Sequence, residues 1–507
     1  MGANVSALLY AMLGVLTPAL LLPFGSVVKL FLRTYAVWLM LLTVLLLVGD
    51  QALTLILAFI LVMLLTPTKP ASRAAAFMVL VCAVPDYVSA PLPFPGINYL
   101  VELNHYKICV IAALLPLLFT ADRGRIGTPG AIAVALLVVF SLYTALMTGL
   151  STTFTGGVRM LVENLLTLVL PALALQLAIR SREDFDEVCK GVLLASVVLG
   201  CIALVTTAKQ WEFYRMHEPI SLLSIADFRT GFLRVRATAN THSLGFHMIT
   251  GLLMLEILKR PLELDWKRLA VLRFILIVGL VTTDSRGSMV GGTIALAVAV
   301  FLAIRSAGLK AAILGLAGCA AIFGAFWLIT SDTTLFDPHG TIRYRQLLIQ
   351  TSLKFVLENP IFGDVDYLAT GLFNHLIQGQ QIVDVTNLYL QIALPFGLLG
   401  CLIFFGAFFT SVLALLGGCR VFPTSSDEQL SHLFRAQCLL LGGSVGWLAF
   451  VATTSNVALT VHLCILFMAL GQAAVRIYRG IEQPKIVRWR PALPIVGTKY
   501  VTSRQPI

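Results

Sequence analysis

The sequence predicts an all-α fold: a polytopic integral membrane bundle of about 13–15 transmembrane helices, since a bilayer crossing needs ~20 apolar residues. Three observations predict it. Of 507 residues, 58% are hydrophobic and only 12% are charged, where soluble domains carry about 25% charged residues. Mean hydropathy is +0.91. The apolar residues gather in runs of near-bilayer length, and Lys and Arg fall in alternate connecting segments. Much of the net charge of +11 lies in short loops and the tail, which is a membrane pattern and not a nucleic-acid footprint.

In chain order the runs predict spans near 7–24, 33–49, 51–67, 74–90, 105–121, 129–150, 158–179, 186–208, 242–258, 268–283, 288–304, 308–330, 387–417, 435–455 and 457–476. Met1–Ser6 has no basic region and runs straight into Ala7–Pro23, so no cleavable signal peptide is expected. The nine cysteines lie in or beside predicted spans and form no CxxC pair, which argues against disulfides and a thiolate metal site. Lys69/Arg73, Arg123/Arg125, Arg180/Arg182, Lys259/Arg260/Lys267/Arg268, Arg305/Lys310, Arg420 and the basic residues after Tyr478 share one side, read as cytoplasmic. The other side then receives 91–104, 151–157, 209–241, the turn at Arg286, 331–386 and Thr454–Asn456.

Two of these outer segments are long. Loop 209–241 carries Arg215, Arg229, Arg234 and Arg236, and loop 331–386 carries Arg343 and Arg345. Basic clusters on the side where basic residues are normally depleted point to an anionic ligand. In the second loop, Thr341 through Leu357 reads as a helix ended by Pro360 and Gly363. Its apolar face, with Ile342, Leu348/Ile349, Leu353 and Val356/Leu357, is expected to lie at the membrane interface.

Thr283-Asp284-Ser285-Arg286-Gly287-Ser288 interrupts two apolar runs. Arginine there is costly unless it faces a protein-lined or water-filled cavity. Asp284 or Ser285 is placed to cap the following helix, and Gly287 would let a ligand approach the backbone. A helix N-terminus beside an arginine attracts anions, phosphates above all.

Four outer stretches carry a resemblance: Arg234-Val-Arg236-Ala-Thr-Ala-Asn240, Thr283–Ser288, Arg345 through Glu358-Asn-Pro-Ile-Phe-Gly363, and Thr386-Asn-Leu-Tyr-Leu390 through Gly397-Leu-Leu-Gly400. In order, side and spacing they resemble the O-antigen ligase and O-antigen polymerase superfamily over residues 155–475. The bacterial exopolysaccharide polymerases of that family are the nearer likeness. The resemblance implies a GT-C-type glycosyltransferase, multi-pass in the bacterial inner membrane, acting at the periplasmic face. It would move glycan from undecaprenyl diphosphate to a hydroxyl, with no nucleotide-sugar site, cofactor or metal.

By motif match the phosphate-binding arginines are Arg236 and Arg286, with Arg345 a third. Arg234, Arg343, Ser285, Asn387 and Tyr389 are further substrate-binding candidates. The residues agree with this chemistry. Arginine stays charged and grips phosphate oxygens in pairs, and cations at a departing diphosphate stabilise the transition state. A metal site would want clustered carboxylates, whereas the outer segments scatter Asp227, Asp332, Asp337, Asp364, Asp366 and Asp384. Asp364 and Asp366 read as a turn after Gly363.

Many ligases of the family place histidine directly before the asparagine of the last motif; here that position is Thr386, which reads as an N-cap. The base candidates are then Asp384, His375 and His339. Gln378 through Asn387 resembles exopolysaccharide polymerases more than lipopolysaccharide ligases. Three readings stand. The first is a polymerase of undecaprenyl-diphosphate-linked repeat units, the second a ligase passing glycan to lipid A–core. The third is a lipid-linked oligosaccharide flippase, disfavoured because no repeated halves are seen.

The expected organisation is 1–150 as N-terminal helices, 151–476 as the catalytic membrane region, and 477–507 as a basic cytoplasmic tail. The expected partners are the lipid-linked donor, a glycan acceptor, the bilayer, and a chain-length regulator or export machinery; nucleic acid is not one. Arg159 and Glu163 are expected to pair along one helix, His247 and His462 to be hydrogen-bonded within the bundle, and Glu102 and His105 are candidates to line an acceptor groove.

Overall fold

Inside a bilayer, backbone polar groups must bond to one another, and this chain satisfies them with helices. The computed structural model describes residues 8, 28–85, 88–120, 126–211, 228–229, 232–238, 241–304, 306, 341–377, 382–419, 427–454 and 460–487. The predicted span 308–330, nearly all of 7–24, His339, Asn240, and most of loop 209–241 and of the tail lie outside the described residues.

The helices are α1 Val28–Leu47, α2 Gln51–Leu65, α3 Pro70–Ala83, α4 His105–Cys109, α5 Leu117–Thr120, α6 Thr128–Ser151, α7 Phe154–Asn164, α8 Leu170–Ala178 and α9 Arg182–Lys209. They continue with α10 Thr241–Leu258, α11 Trp266–Thr282, α12 Arg286–Ala303, α13 Thr341–Glu358, α14 Leu388–Cys419, α15 Glu428–Val451 and α16 Thr460–Val487. Eight helical stretches among the described residues are long and apolar enough to cross a membrane. The chain is a polytopic helical membrane protein. Among the described residues, sheet is confined to two small hairpins, β1 Ser89–Phe94 with β2 Ile97–Asn104, and β3 Phe228–Arg229 with β4 Phe232–Leu233. The first replaces the loop expected at 91–104. Gly96, at φ +85°, makes its turn, and prolines at 91, 93 and 95 suit an edge strand.

The two ends of the bundle differ in chemistry. At one end, acidic groups meet the basic loops. Lys69 is 3.3 Å from Asp184 and His432 is 2.9 Å from Asp186. Glu256 receives Lys259 at 2.7 Å and also Arg273, and Arg476 donates to the Ile179 carbonyl. Helices starting here are capped by Ser181, Asp265 and Asp427, as the orphan N–H groups of a first turn require. The opposite end carries Arg234, Arg286 and Arg345.

Small residues bring α12 and α15 together. A Cβ on Gly446 would sit 2.4 Å from the Gly291 carbonyl, and one on Gly442 2.3 Å from that of Ala295. Glycine at both positions therefore permits near-contact of the two backbones, the way helices pack in lipid without a hydrophobic driving force. This contact sets the start of α12, at Arg286, against the end of α15, at Thr453.

Helix α13 forms as expected, but its apolar residues divide between two surfaces. Leu348, Phe355 and Val356 pack with Phe373, Leu376, Val385 and Leu394 into a small second core. Ile349, Leu353 and Leu357, at i, i+4 and i+8, stay exposed, together with Ile361 and Phe362. That outward stripe is the surface an interfacial helix would lay against lipid. Arg159 does not pair with Glu163: its Nε donates to the Tyr99 carbonyl at 2.9 Å and its guanidinium lies 3.9 Å from the Tyr99 ring centroid. Glu163 pairs with Lys107 at 2.7 Å instead. Partner choice followed the third dimension because both side chains sit next to the hairpin and α4.

Candidate active site

The turn between α11 and α12 is built from its own backbone. Thr283 N–H donates to Leu280 O at 3.2 Å and Asp284 N–H to Val281 O at 3.0 Å. Asp284 sits at φ +45°, a left-handed conformation that Asp tolerates better than most residues. Ser285, not Asp284, is the N-cap: its Oγ accepts from Ser288 N–H at 3.3 Å. Arg286 then opens α12 with an exposed side chain. Gly287 is explained by protein and not by ligand, because a Cβ there would lie 2.1 Å from Thr453 Oγ1.

The segment 233–238 lies against this turn. Val235 is fully buried and its N–H donates to Thr282 O at 3.1 Å. Arg234 donates to Thr283 O at 3.4 Å and to Thr241 Oγ1 at 3.2 Å, so it fastens the turn to α10. Thr238 Oγ1 donates to Cys82 O at 2.7 Å, tying the segment to α3. Arg236 is half-buried between these anchors.

His242, on the first turn of α10, was not singled out in the sequence. Its Nδ1 lies 2.9 Å from Ser285 Oγ, and its carbonyl accepts from Ser288 Oγ at 2.6 Å. Its position two residues after Asn240, at the end of the first motif, was the available signal.

The facing wall comes from α13, α14 and the end of α15. Arg345 Nη2 donates to Thr453 O at 3.3 Å, and Asn387 Nδ2 to Ala452 O at 3.0 Å. Thr453 therefore touches both the Arg286 turn and Arg345. Asn387 is the cap of α14, accepting from Tyr389 N–H at 2.9 Å and Leu390 N–H at 3.3 Å. The cap was expected at Thr386, one residue too early. Tyr389 stacks on Phe405 at 4.6 Å and donates to Leu448 O at 2.9 Å, so it is held inside the bundle.

Asp384 is exposed, and its carbonyl accepts from Tyr344 Oη at 3.0 Å. Partial desolvation lifts its carboxyl above the ordinary value, while nearby Arg345 pulls it back. His375 is held elsewhere, with Nε2 3.2 Å from Thr351 Oγ1. Thr351 is about 9 Å further along α13 than Arg345. Arg343 is exposed and, two positions before Arg345, points some 200° round the helix from it. Asp366 N–H donates to Asp364 Oδ1 at 2.9 Å, the turn expected there.

The third and fourth motifs lock together behind this wall. Pro395 and Gly397 (φ +64°) kink α14 and strip the hydrogen bonds from that turn. Residues 360–364 supply the missing partners. Leu398 N–H donates to Pro360 O at 2.9 Å, Leu399 N–H to Ile361 O at 3.2 Å, and Asp364 N–H donates to Leu394 O at 2.9 Å. Tyr143 Oη adds a bond to Phe396 O at 2.9 Å.

One end of a membrane-embedded helical bundle thus gathers Arg234, Arg236, Arg286 and Arg345 against Asp284 and Asp384, beside the N-terminus of α12. That is an arrangement for holding an anion. The class is a polytopic helical membrane protein, with a basic cluster at one helix terminus. Residues 271–405 match the family model described as O-antigen ligase. That segment, from α11 into α14, is what the chain shares with the O-antigen ligase family. The match spans α11 to the kinked first half of α14 and contains Arg286, Arg345, Asp384 and Asn387; Arg236 and His242 precede it. No curated protein matches the chain.

Proposed function

We propose that the protein polymerises undecaprenyl-diphosphate-linked oligosaccharide units at the periplasmic face of a bacterial inner membrane. The observation that carries this reading is the start of α12 at Arg286, packed on Thr453, whose carbonyl Arg345 holds, with the Arg234–Arg236 segment bonded to the same turn. A hydroxyl oxygen of the acceptor glycan attacks the anomeric carbon of the donor. The bond from that carbon to the diphosphate oxygen breaks, and undecaprenyl diphosphate leaves. Negative charge grows on the bridging oxygen, where preorganised guanidinium groups and helix N–H groups stabilise the transition state more than the ground state. Asp384 is the base that takes the hydroxyl proton; its raised pKa suits that task better than an ordinary carboxylate's. The charge stabilisation comes from arginines, so the reading needs no metal. Thr386, where many ligases of the family carry histidine, favours a polymerase over a ligase. The catalytic region is 151–476, with the basic loops on the opposite, cytoplasmic side.

The purified protein is given only undecaprenyl-diphosphate repeat units, with chelator present. A ladder of longer lipid-linked glycans and release of undecaprenyl diphosphate are expected. Transfer to added lipid A–core without a ladder would identify a ligase, and movement of the lipid across vesicles without any new glycosidic bond a flippase.

A further inference from the structure

A second polar site lies one helix away from the arginines. It is a cavity of 420 Å³ between α4, α7, α14 and α16, within the size range of small-molecule sites. Its charged members are Lys107 and Glu163, paired at 2.7 Å, with the Lys107 side chain only 7% exposed and that of Glu163 40% exposed. Lys107 also donates to Glu102 O at 2.6 Å. A lysine this buried is costly unless it is paired, and here Glu163 pairs it. Around the pair stand Asn164 and Gln391, while Phe140, Tyr106 and Phe396 add aromatic side chains. His105 takes no part, being buried with Nε2 at 3.1 Å from Leu80 O.

A second observation points to the same place. The two helices carrying the ion pair both loosen into five-residue π-helical segments just past it, Val110–Leu114 after Lys107 and Leu165–Val169 after Glu163. Such segments cost hydrogen-bond geometry and concentrate at functional sites. Thr167 O, in one of them, accepts from Tyr106 Oη at 3.1 Å, and Tyr106 in turn stacks on His462 at 3.7 Å. The first turn of α16 is the wall shared with the arginine site. His462 faces the cavity, while Thr460 Oγ1 lies 3.1 Å from Ser243, the neighbour of His242.

The geometry points to a carbohydrate subsite that holds the acceptor glycan, an inference that rests on the glycan-transfer reading above. Among the described lining residues, Lys107 is matched by Glu163, which leaves no net positive charge for a diphosphate. Carboxylate, amides and aromatic rings suit a neutral sugar, whose hydroxyls bond to the polar groups and whose C–H face covers a ring. The donor's diphosphate belongs with the arginines, and the acceptor's reacting end enters from the other side of α16.

The test uses the full chain in cells making their own envelope glycan, with benzoylphenylalanine at Met160, a cavity residue. After irradiation, mass spectrometry of the purified protein should find a hexose-containing adduct. Glu163→Gln, which keeps the shape of the site and the Lys107 bond to Glu102 O, and Gln391→Ala should each reduce the adduct at least fivefold. Arg286→Ala, which removes only the donor site, should leave it in place. No glycan adduct, a phospholipid adduct alone, or an adduct undiminished in both variants overturns the subsite. Loss of glycan synthesis in Arg286→Ala alongside any of these results would leave the glycan-transfer reading standing and remove only the subsite.

Discussion

Gly363 and Gly397 meet backbone to backbone. A Cβ on Gly363 would lie 2.5 Å from Gly397 N, and one on Gly397 would lie 2.1 Å from Ile361 O. Both residues have positive φ, +65° and +64°. Two motifs separated in the chain are therefore one structural device, which seats α13 on the kink of α14 and so holds Arg345 over the end of α15.

Replacing Gly397 by alanine combines a left-handed conformation with a steric overlap. A destabilisation of about 3 kcal/mol or more is expected, strain and overpacking together. It is read as a lower Tm in detergent than the wild-type chain. An unchanged Tm would mean that the 360–364 turn is not seated on α14.

The arginines should separate by their contacts. Arg286, exposed at the start of α12, should on replacement by alanine lose on the order of 10²-fold in rate, as loss of one preorganised stabiliser does, with Tm unchanged. Lysine should restore little, because it loses the paired grip on phosphate oxygens. Arg234→Ala should lower Tm as well, because it releases the Thr283 carbonyl and Thr241. Full turnover by Arg286→Ala at saturating donor would remove the diphosphate site.

Asp384 gives a pH dependence. As a base it must be ionised, so the rate should fall as pH drops through a pKa lying above the ordinary carboxylate range. Asp384→Asn should lose that acid limb along with most of the rate. Stability runs the other way. A raised pKa means the folded chain binds the proton more tightly than the unfolded chain. The stabilising contribution is present below the unfolded pKa and is lost as pH rises through the folded one. Asp384→Asn should therefore be no less stable than wild type at neutral pH; a marked drop in Tm would argue for a structural carboxylate.

Orientation is open to labelling. Thr370→Cys, on the exposed surface beyond α13, in a background free of native cysteines, should react with an impermeant thiol reagent in intact spheroplasts. Ser425→Cys should not. The reverse pattern would turn the protein over and remove the periplasmic assignment.

Apolar run length and the alternation of basic residues are local properties, so the helices, the Thr341 helix and the separation of basic loops from the Arg286 end were legible in the sequence. So was the gathering of motifs, because their arginines stand on segments that the hydropathy assigns to one side. Partnership is not local. Arg159 and Glu163 have ideal helical spacing, yet one bonds Tyr99 and the other Lys107, because the hairpin and α4 stand beside that face. Gly287 looked like space for a ligand and is filled by Thr453, because small residues on α12 and α15 let those helices nearly touch. The sequence determined which segments carry the arginines. The tertiary structure decided which guanidinium groups are engaged by backbone carbonyls and which one projects from α12, since a buried carbonyl left without a donor costs more free energy than an exposed arginine gains from staying free.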